Sequence, residues 1–395
     1  MSVSTVSVCG GLDGQVRFFN LTTTACIHVI HSGEYNHNLT HVNKLAIKEK
    51  TLAVCGNSWL RLHCLDKLQS PATIYEGGHT NNVTSVSFQA DGKWFVTTGE
   101  DGRVRIWDFR ARGYQLGISN DSAINSGTIH PNQGVVVFGD QSGSINYFDL
   151  SANKVIKKQA TQASGIGVLT TDFDGYNRLI SCCDSKYVSV FADIETNTVH
   201  DEICSTNEFD SVSGDDTSPR HALMPPAMIP LISRGISNNR TAIGGECAPP
   251  IHQVVSVDNS PPPIHRFGND THSDGYITNV SLSGPDSSRH PAVAISGSDA
   301  SFSIWRTSHD DNFYSLDSQF TIPTSTSWCW DAKFVDERTR FVIGAYSDGK
   351  CRLWDTLKSS TGTPVAVFDA GQGKGVRSIA LLSTDSINVS DKRFK

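Results

Sequence analysis

The chain has 395 residues, 38% of them hydrophobic, and carries a formal net charge of −7. That charge, with no clustered run of Lys and Arg, excludes nucleic-acid backbone and anionic membrane surface as natural partners. The opening MSVSTVSVCGG has neither a basic nor an apolar leader segment, and the longest apolar stretch, 223–232, is broken by prolines; neither a secretion signal nor a bilayer span is expected.

The first predicted element is a strand, Val3 to Cys9, which reads as the second strand of a unit whose first strand is missing. The unit then repeats along the chain. Aligned on D-G-x-h-x-h-W-D, where h is apolar, its endings fall at Phe19-Asn20, His63-Cys64, Trp107-Asp108, Phe148-Asp149, Phe191-Ala192, Trp305-Arg306 and Trp354-Asp355, with spacings of 44, 44, 41, 43, 114 and 49 residues. A return every 40–45 residues or so that ends in an aromatic–acid pair marks a four-stranded propeller blade. The expected fold is therefore all-β, a seven-bladed WD-repeat β-propeller forming one ring, not the two or three domains that length alone suggests.

The third unit is the cleanest. Val83 to Phe88 alternates as a strand, Asp91-Gly92 turns the chain, and Trp94 to Thr98 forms the second strand. Asp101-Gly102 is a hairpin turn, and Val104 and Ile106 alternate with arginines up to Trp107. His79, Thr98, Asp101 and Trp107 form a candidate structural network within this blade, because imidazole, hydroxyl, carboxylate and indole N–H all need partners when buried. Their likeness to a catalytic Ser/Thr-His-Asp set is superficial.

The long interval holds a Pro- and acid-rich insertion, residues 199–266, with nine of the fifteen prolines and the composition of a loosely packed loop. It divides the chain into 1–198 (blades one to four and most of five), the insertion itself, and 267–395 (the rest). The fourth strand of blade five is expected at Ile264 to Gly268, with Val199 to Cys204 as the alternative. The chain ends on an orphan first strand, Val376 to Leu382, which should complete the N-terminal blade and remove the open sheet edge.

No set of residues points to catalysis. G-x-x-x-x-G-K-[ST], H-E-x-x-H and G-x-S-x-G are all missing, and the densest histidines, His28, His31, His37 and His41, have no Cys or Asp at ligand spacing. No enzyme activity, metal or cofactor is expected. The ten cysteines are scattered, several at apolar strand positions, which fits a reducing, cytoplasmic compartment.

A propeller without chemistry is a binding platform, and its mouth is where each first strand begins. Immediately before the first apolar position the units read His41, Asn82, Ala123, Gly165, Tyr276, Trp328 and Gly375. Two residues later they read Asn43, Thr84, Asn125, Gly167, Thr278, Trp330 and Arg377. The seventh unit stands out, with two tryptophans flanked by Tyr276 on one side and Arg377 on the other. Trp, Tyr and Arg dominate interface hot spots, which makes this corner the candidate partner surface. The competing reading packs Trp328 over the blade top and Trp330 into the channel.

The phrases Thr98 to Arg112 (TGEDGRVRIWDFRAR), His130-Pro-Asn-Gln133 with Gly139 to Gly143 (GDQSG), Ser298 to Ser308 (SDASFSIWRTS) and Ser327-Trp-Cys-Trp330 resemble one WD-repeat family. It is the G-protein-β-subunit-like subunit of the target-of-rapamycin (TOR) kinase complexes, and the similarity runs through all seven blades. The resemblance implies a non-catalytic, monomeric ring, present in both TOR assemblies, that clasps the C-lobe of the TOR kinase domain and stabilises it. It implies a cytoplasmic protein, peripheral on endomembranes through its complex. Trp328, Trp330 and Asn43 match family positions on the assembly surface; His41 departs, because the family has an amide there. The second reading is a substrate receptor of a cullin-type ubiquitin ligase, on the W-D-x-R pattern at 107–110.

Overall fold

The computed structural model describes residues 5–31, 41–75, 77–111, 113–160, 167–174, 177–183, 187–192, 263, 265–267, 275–283, 291–307, 313–322, 327–336, 339–357 and 363–383. Blade one contains β1 (Thr5–Gly11), β2 (Val16–Asn20) and β3 (Cys26–Ile30). Blade two is β4 (Lys44–Lys48), β5 (Thr51–Cys55), β6 (Leu60–Cys64) and β7 (Thr73–Tyr75); blade three is β8 (Val83–Phe88), β9 (Trp94–Gly99), β10 (Arg103–Asp108) and β11 (Tyr114–Ser119). Blade four is β12 (Ile124–Ile129), β13 (Val135–Asp140), β14 (Ser144–Asp149) and β15 (Lys154–Ala160). Blade five is β16 (Val168–Phe173), β17 (Leu179–Cys183), β18 (Val188–Phe191) and β19 (His265–Phe267). Blade six is β20 (Ile277–Leu282), β21 (Ala292–Gly297), β22 (Ser301–Thr307) and β23 (Tyr314–Thr321); blade seven is β24 (Cys329–Phe334), β25 (Phe341–Tyr346), β26 (Lys350–Asp355) and β27 (Ala366–Asp369). The last strand, β28 (Val376–Ser383), returns to blade one.

Seven antiparallel sheets of four strands result, and the first has the order β28-β1-β2-β3. The C-terminal strand therefore closes the N-terminal blade, pairing Val6 with Leu382 and Val8 with Ala380. The fourth strand of blade five is β19, joined to β18 through Val188↔Phe267. The alternative at 199–204 lies outside the described residues, as does the insertion apart from 263, 265 and 266. The inner strands touch in a closed cycle, β28 to β4 to β8 and so on round to β24 and back to β28.

The apolar residues explain why a ring forms. Seven hydrophobic clusters are present, and each is shared by two neighbouring blades. Val6, Phe18 and Ile30 of blade one, for instance, pack on Leu45, Leu52 and Val54 of blade two. A blade is thus buried on both faces, which is why β13 reads VVVFGD with every residue buried. Among the described residues every such cluster spans two blades, so neighbouring blades depend on one another for their cores.

The repeated dipeptide has two separate jobs. All seven aromatic-position residues, including the degenerate His63 and Phe191, are buried. The acid or amide that follows accepts a backbone N–H two residues on: Thr22 to Asn20 at 2.9 Å, Arg110 to Asp108 at 2.8 Å, Ser151 to Asp149 at 2.7 Å, Leu357 to Asp355 at 3.1 Å. Such an Asx-turn launches the chain toward the fourth strand. The tighter hairpin before it uses a similar device, with Asp101 accepting from Arg103 N at 3.2 Å while Gly102 takes φ 70°.

His63 in the aromatic position of blade two carries a pH signature. Burial, with Arg61 and His28 nearby, pushes its imidazole down to about 4. The unfolded imidazole takes a proton near its ordinary 6.5, whereas the folded one resists until about 4. Stability should therefore fall as pH drops through that window, because the unfolded state binds more protons there. His63→Phe is expected to flatten the melting temperature between pH 7 and pH 5; an unchanged slope would contradict the assignment.

Candidate functional site: the mouth of the ring

Each first strand enters at a buried residue, in ring order Val42, Val83, Ile124, Val168, Ile277, Cys329 and Val376. The side chains that follow, Asn43, Thr84, Asn125, Leu169, Thr278, Trp330 and Arg377, line one central cavity of about 300 Å³. Blade five corrects the expected alignment: its two mouth positions are Gly167 and Leu169, not Gly165 and Gly167, because Val168 is the buried entrance residue.

These side chains stitch the blades together. Asn125 Nδ2 donates to Val168 O at 2.9 Å and Thr84 Oγ1 to Ile124 O at 2.8 Å. Asn43 Nδ2 reaches Val83 O at 3.4 Å, and Thr278 Oγ1 donates to Cys329 O. Each spans from one blade to the carbonyl at the entrance of the next. The relay breaks at Leu169 and Trp330, whose side chains do not continue it, and Arg377 reaches the Asn43 side chain rather than a carbonyl.

At the second break the candidate corner assembles. Arg377 lies over the Trp330 ring, guanidinium to centroid 4.6 Å, and its Nη1 donates to Asn43 Oδ1 at 3.2 Å. Trp330 meets Trp328 with ring centroids 6.4 Å apart. Trp328 is 48% exposed and Tyr276, at the equivalent entrance of blade six, 57% exposed. Both entrances are held alike, Tyr276 N donating to Ser298 Oγ at 2.8 Å and Trp328 N to Ser347 Oγ at 2.9 Å. His41 is half-buried just before the entrance of blade two. Trp330 lines the channel, while Trp328 is half-exposed at the rim.

The structural network of blade three needs one correction. Trp107 Nε1 donates to Thr97 Oγ1 at 2.8 Å, His79 Nε2 meets the same oxygen at 2.8 Å, and His79 Nδ1 lies 3.1 Å from Asp101 Oδ1. The hydroxyl is that of Thr97, not Thr98. Successive strand residues face opposite ways, so Thr98 instead bonds Ser85 Oγ at 2.7 Å and Thr84 Oγ1 at 2.9 Å. Burial alone would raise the Asp101 carboxyl, but the His79 bond and the Thr80 and Arg103 amides hold it below its ordinary value. Thr97→Val should cost about 1–3 kcal/mol, because it strands a buried indole N–H and imidazole nitrogen. Thr98→Val should cost less, since Thr84 and Ser85 keep carbonyl partners in Ile124 and Gly127. Chemical denaturation of the two variants checks the order, and a larger loss for Thr98→Val would refute it.

Among the described residues no group of three or more His, Cys, Asp or Glu gathers at metal-binding distance. No helix among them is long and apolar enough to cross a membrane.

Seven four-stranded blades, the aromatic–acid endings and the strand-exchanged closure define a WD-repeat β-propeller. The WD domain, G-beta repeat family matches residues 69–108. The propeller domain titled Cps50 (Swd1) of Myceliophteria thermophila shares the fold alone, with TM-score 0.57 at 11% identity over 83% of this chain and 86% of that one. Over a little more than a third of its length the chain is similar to target of rapamycin complex subunits. It is 39% identical to the subunit wat1 of Schizosaccharomyces pombe over 153 residues, 38% of this chain and 47% of that protein. It is 36% identical to the subunit LST8 of Saccharomyces cerevisiae over 138 residues, 34% of this chain and 44% of that one. The mouse LST8 subunit is 33% identical over 147 residues, 36% of this chain and 44% of its own length. The matches span about half the length of these relatives.

Proposed function

We propose that the protein is a non-catalytic WD-repeat scaffold subunit of a TOR complex, which binds the C-lobe of the TOR kinase domain and stabilises it. The single observation that carries this reading is the exposed indole of Trp328, set against Trp330, which Arg377 covers, at an entrance that breaks the polar relay. A half-exposed tryptophan on a strand entrance has its apolar surface removed from water only when a partner covers it. Tyr276, Asn43 and His41 complete the proposed surface, and the relatives' names supply the partner. Those names favour this reading over the ubiquitin-ligase receptor. Trp107 of the W-D-x-R pattern is consumed by the blade interior, while Arg110 pairs with Asp108 at 2.7 Å. The ring acts as a single monomeric platform, cytoplasmic, reaching endomembranes only through its complex.

Trp328→Ala combined with Trp330→Ala tests the surface. Loss of one hot-spot residue worth about 2 kcal/mol weakens binding about 30-fold, and the double truncation should weaken capture of the kinase by at least that much. Trp328→Ala alone should leave the melting temperature unchanged. A double variant that is folded and captures the kinase as the wild type does would overturn the assignment.

A further inference from the structure

We propose that the central channel holds a small polyvalent oxyanion of the phosphate type, bound between Lys44, Lys333 and Arg377. This site is separate from the exposed indole of Trp328, and its argument does not depend on which protein docks there.

The charges facing the cavity of about 300 Å³ are unbalanced: Lys44, Lys333 and Arg377 line it against one carboxylate, Asp172. These four groups come from inner strands β4, β24, β28 and β16, so no one blade supplies the site. Lys333 is fixed by donating from Nζ to Ser281 Oγ, with Asp331 Oδ1 at 3.8 Å. Asp331 is itself committed, accepting from Asn279 Nδ2 at 2.7 Å and Ile379 N at 3.0 Å. Lys44 makes no ion pair or hydrogen bond through its ammonium among the described residues. Burial lowers its pKa, with Asp331 pulling it back up and Lys333 pressing it down. Burial likewise raises Asp172, against the pull of Lys333 and Lys44.

Lys44 is half-buried at the channel wall, where its ammonium faces the like charges of Lys333 and Arg377, and an anion between the lysines relieves that repulsion. Asn43, Thr84, Asn125 and Thr278 spend their N–H and O–H groups on the interblade relay, and their oxygens bring no negative charge to balance the lysines. A cation would face three like charges. A chain segment would have to thread between seven close-packed inner strands, whereas a cavity of this size lies at the lower end of small-ligand sites, roughly 300–1,000 Å³.

Inorganic pyrophosphate is the probe, titrated calorimetrically into the full chain at fixed ionic strength with sodium chloride as the control. The expected result is saturable binding at one site per chain, absent for chloride. Lys44→Met should weaken it at least tenfold. Asp172→Asn, which removes the opposing carboxylate, should tighten it several-fold; this variant keeps the test decisive should Lys44→Met not fold. Phosphorus NMR line broadening on the wild type provides the same readout without any substitution. No saturable binding at millimolar pyrophosphate, equal affinity in folded Lys44→Met, or weaker binding in Asp172→Asn would each overturn the proposal.

Discussion

A chain truncated after Gly375 is expected to lose the folded ring. The cut removes β28, whose Val376, Ile379 and Leu382 side chains are buried at the seams between blade one and its neighbours. Burying three such side chains contributes about 5–9 kcal/mol, comparable to the whole stability of an ordinary domain at roughly 5–15 kcal/mol. The cut also exposes the inner edge of β1 along its pairing with β28 and leaves Asp331 buried without the Ile379 amide. Leu45 N loses its acceptor as well, since Ser378 Oγ accepts from it at 3.1 Å. Circular dichroism and size-exclusion chromatography should show loss of the cooperative melt together with aggregation through the open strand edge. A soluble truncation that melts as the full chain does would contradict the closure.

Trp107→Ala carries the largest effect expected of a single substitution. The indole is 1% exposed and lies among Tyr75, Phe95 and Tyr114 at centroid distances of 5.2, 6.0 and 5.8 Å. Removing it empties the seam between blades two and three and takes a donor from Thr97. The loss should be about 3–5 kcal/mol in urea unfolding, with Trp107→Phe intermediate. A loss under about 1 kcal/mol would mean that the seam repacks and that the aromatic ending is dispensable.

How much of this was legible in the sequence follows from the range of each interaction. Blade count and ring closure could be read because they depend on a period and on unpaired strands at the two ends. Even the degenerate endings at His63 and Phe191 kept their buried places, since the seam selects for bulk there. The network hydroxyl was missed by one residue: counting back from Asp101 gives Thr98, but only the strand's alternation decides which threonine faces Trp107, and the two are adjacent. Blade five slipped by two residues because glycines at 165 and 167 offer no apolar marker, and only the burial of Val168 fixes the entrance.

The candidate corner was visible as an exception in the aligned mouths, yet its internal contacts were not. Asn43 and Arg377 read as docking groups, and each also serves the ring, one in the relay and the other stacked over Trp330. Such bonds run to carbonyls of the neighbouring blade, and a carbonyl leaves no trace in side-chain identity. The unbalanced charge in the channel was hidden for a similar reason, since Lys44, Asp172 and Lys333 lie far apart in sequence and meet only when the ring closes.

The central claim, that this propeller works by binding TOR, is tested most directly by affinity capture of the full chain from its native cells followed by mass spectrometry. A large phosphatidylinositol-kinase-like kinase should be recovered with the propeller and lost on Trp328→Ala plus Trp330→Ala. Recovery of a cullin adaptor without that kinase would contradict it.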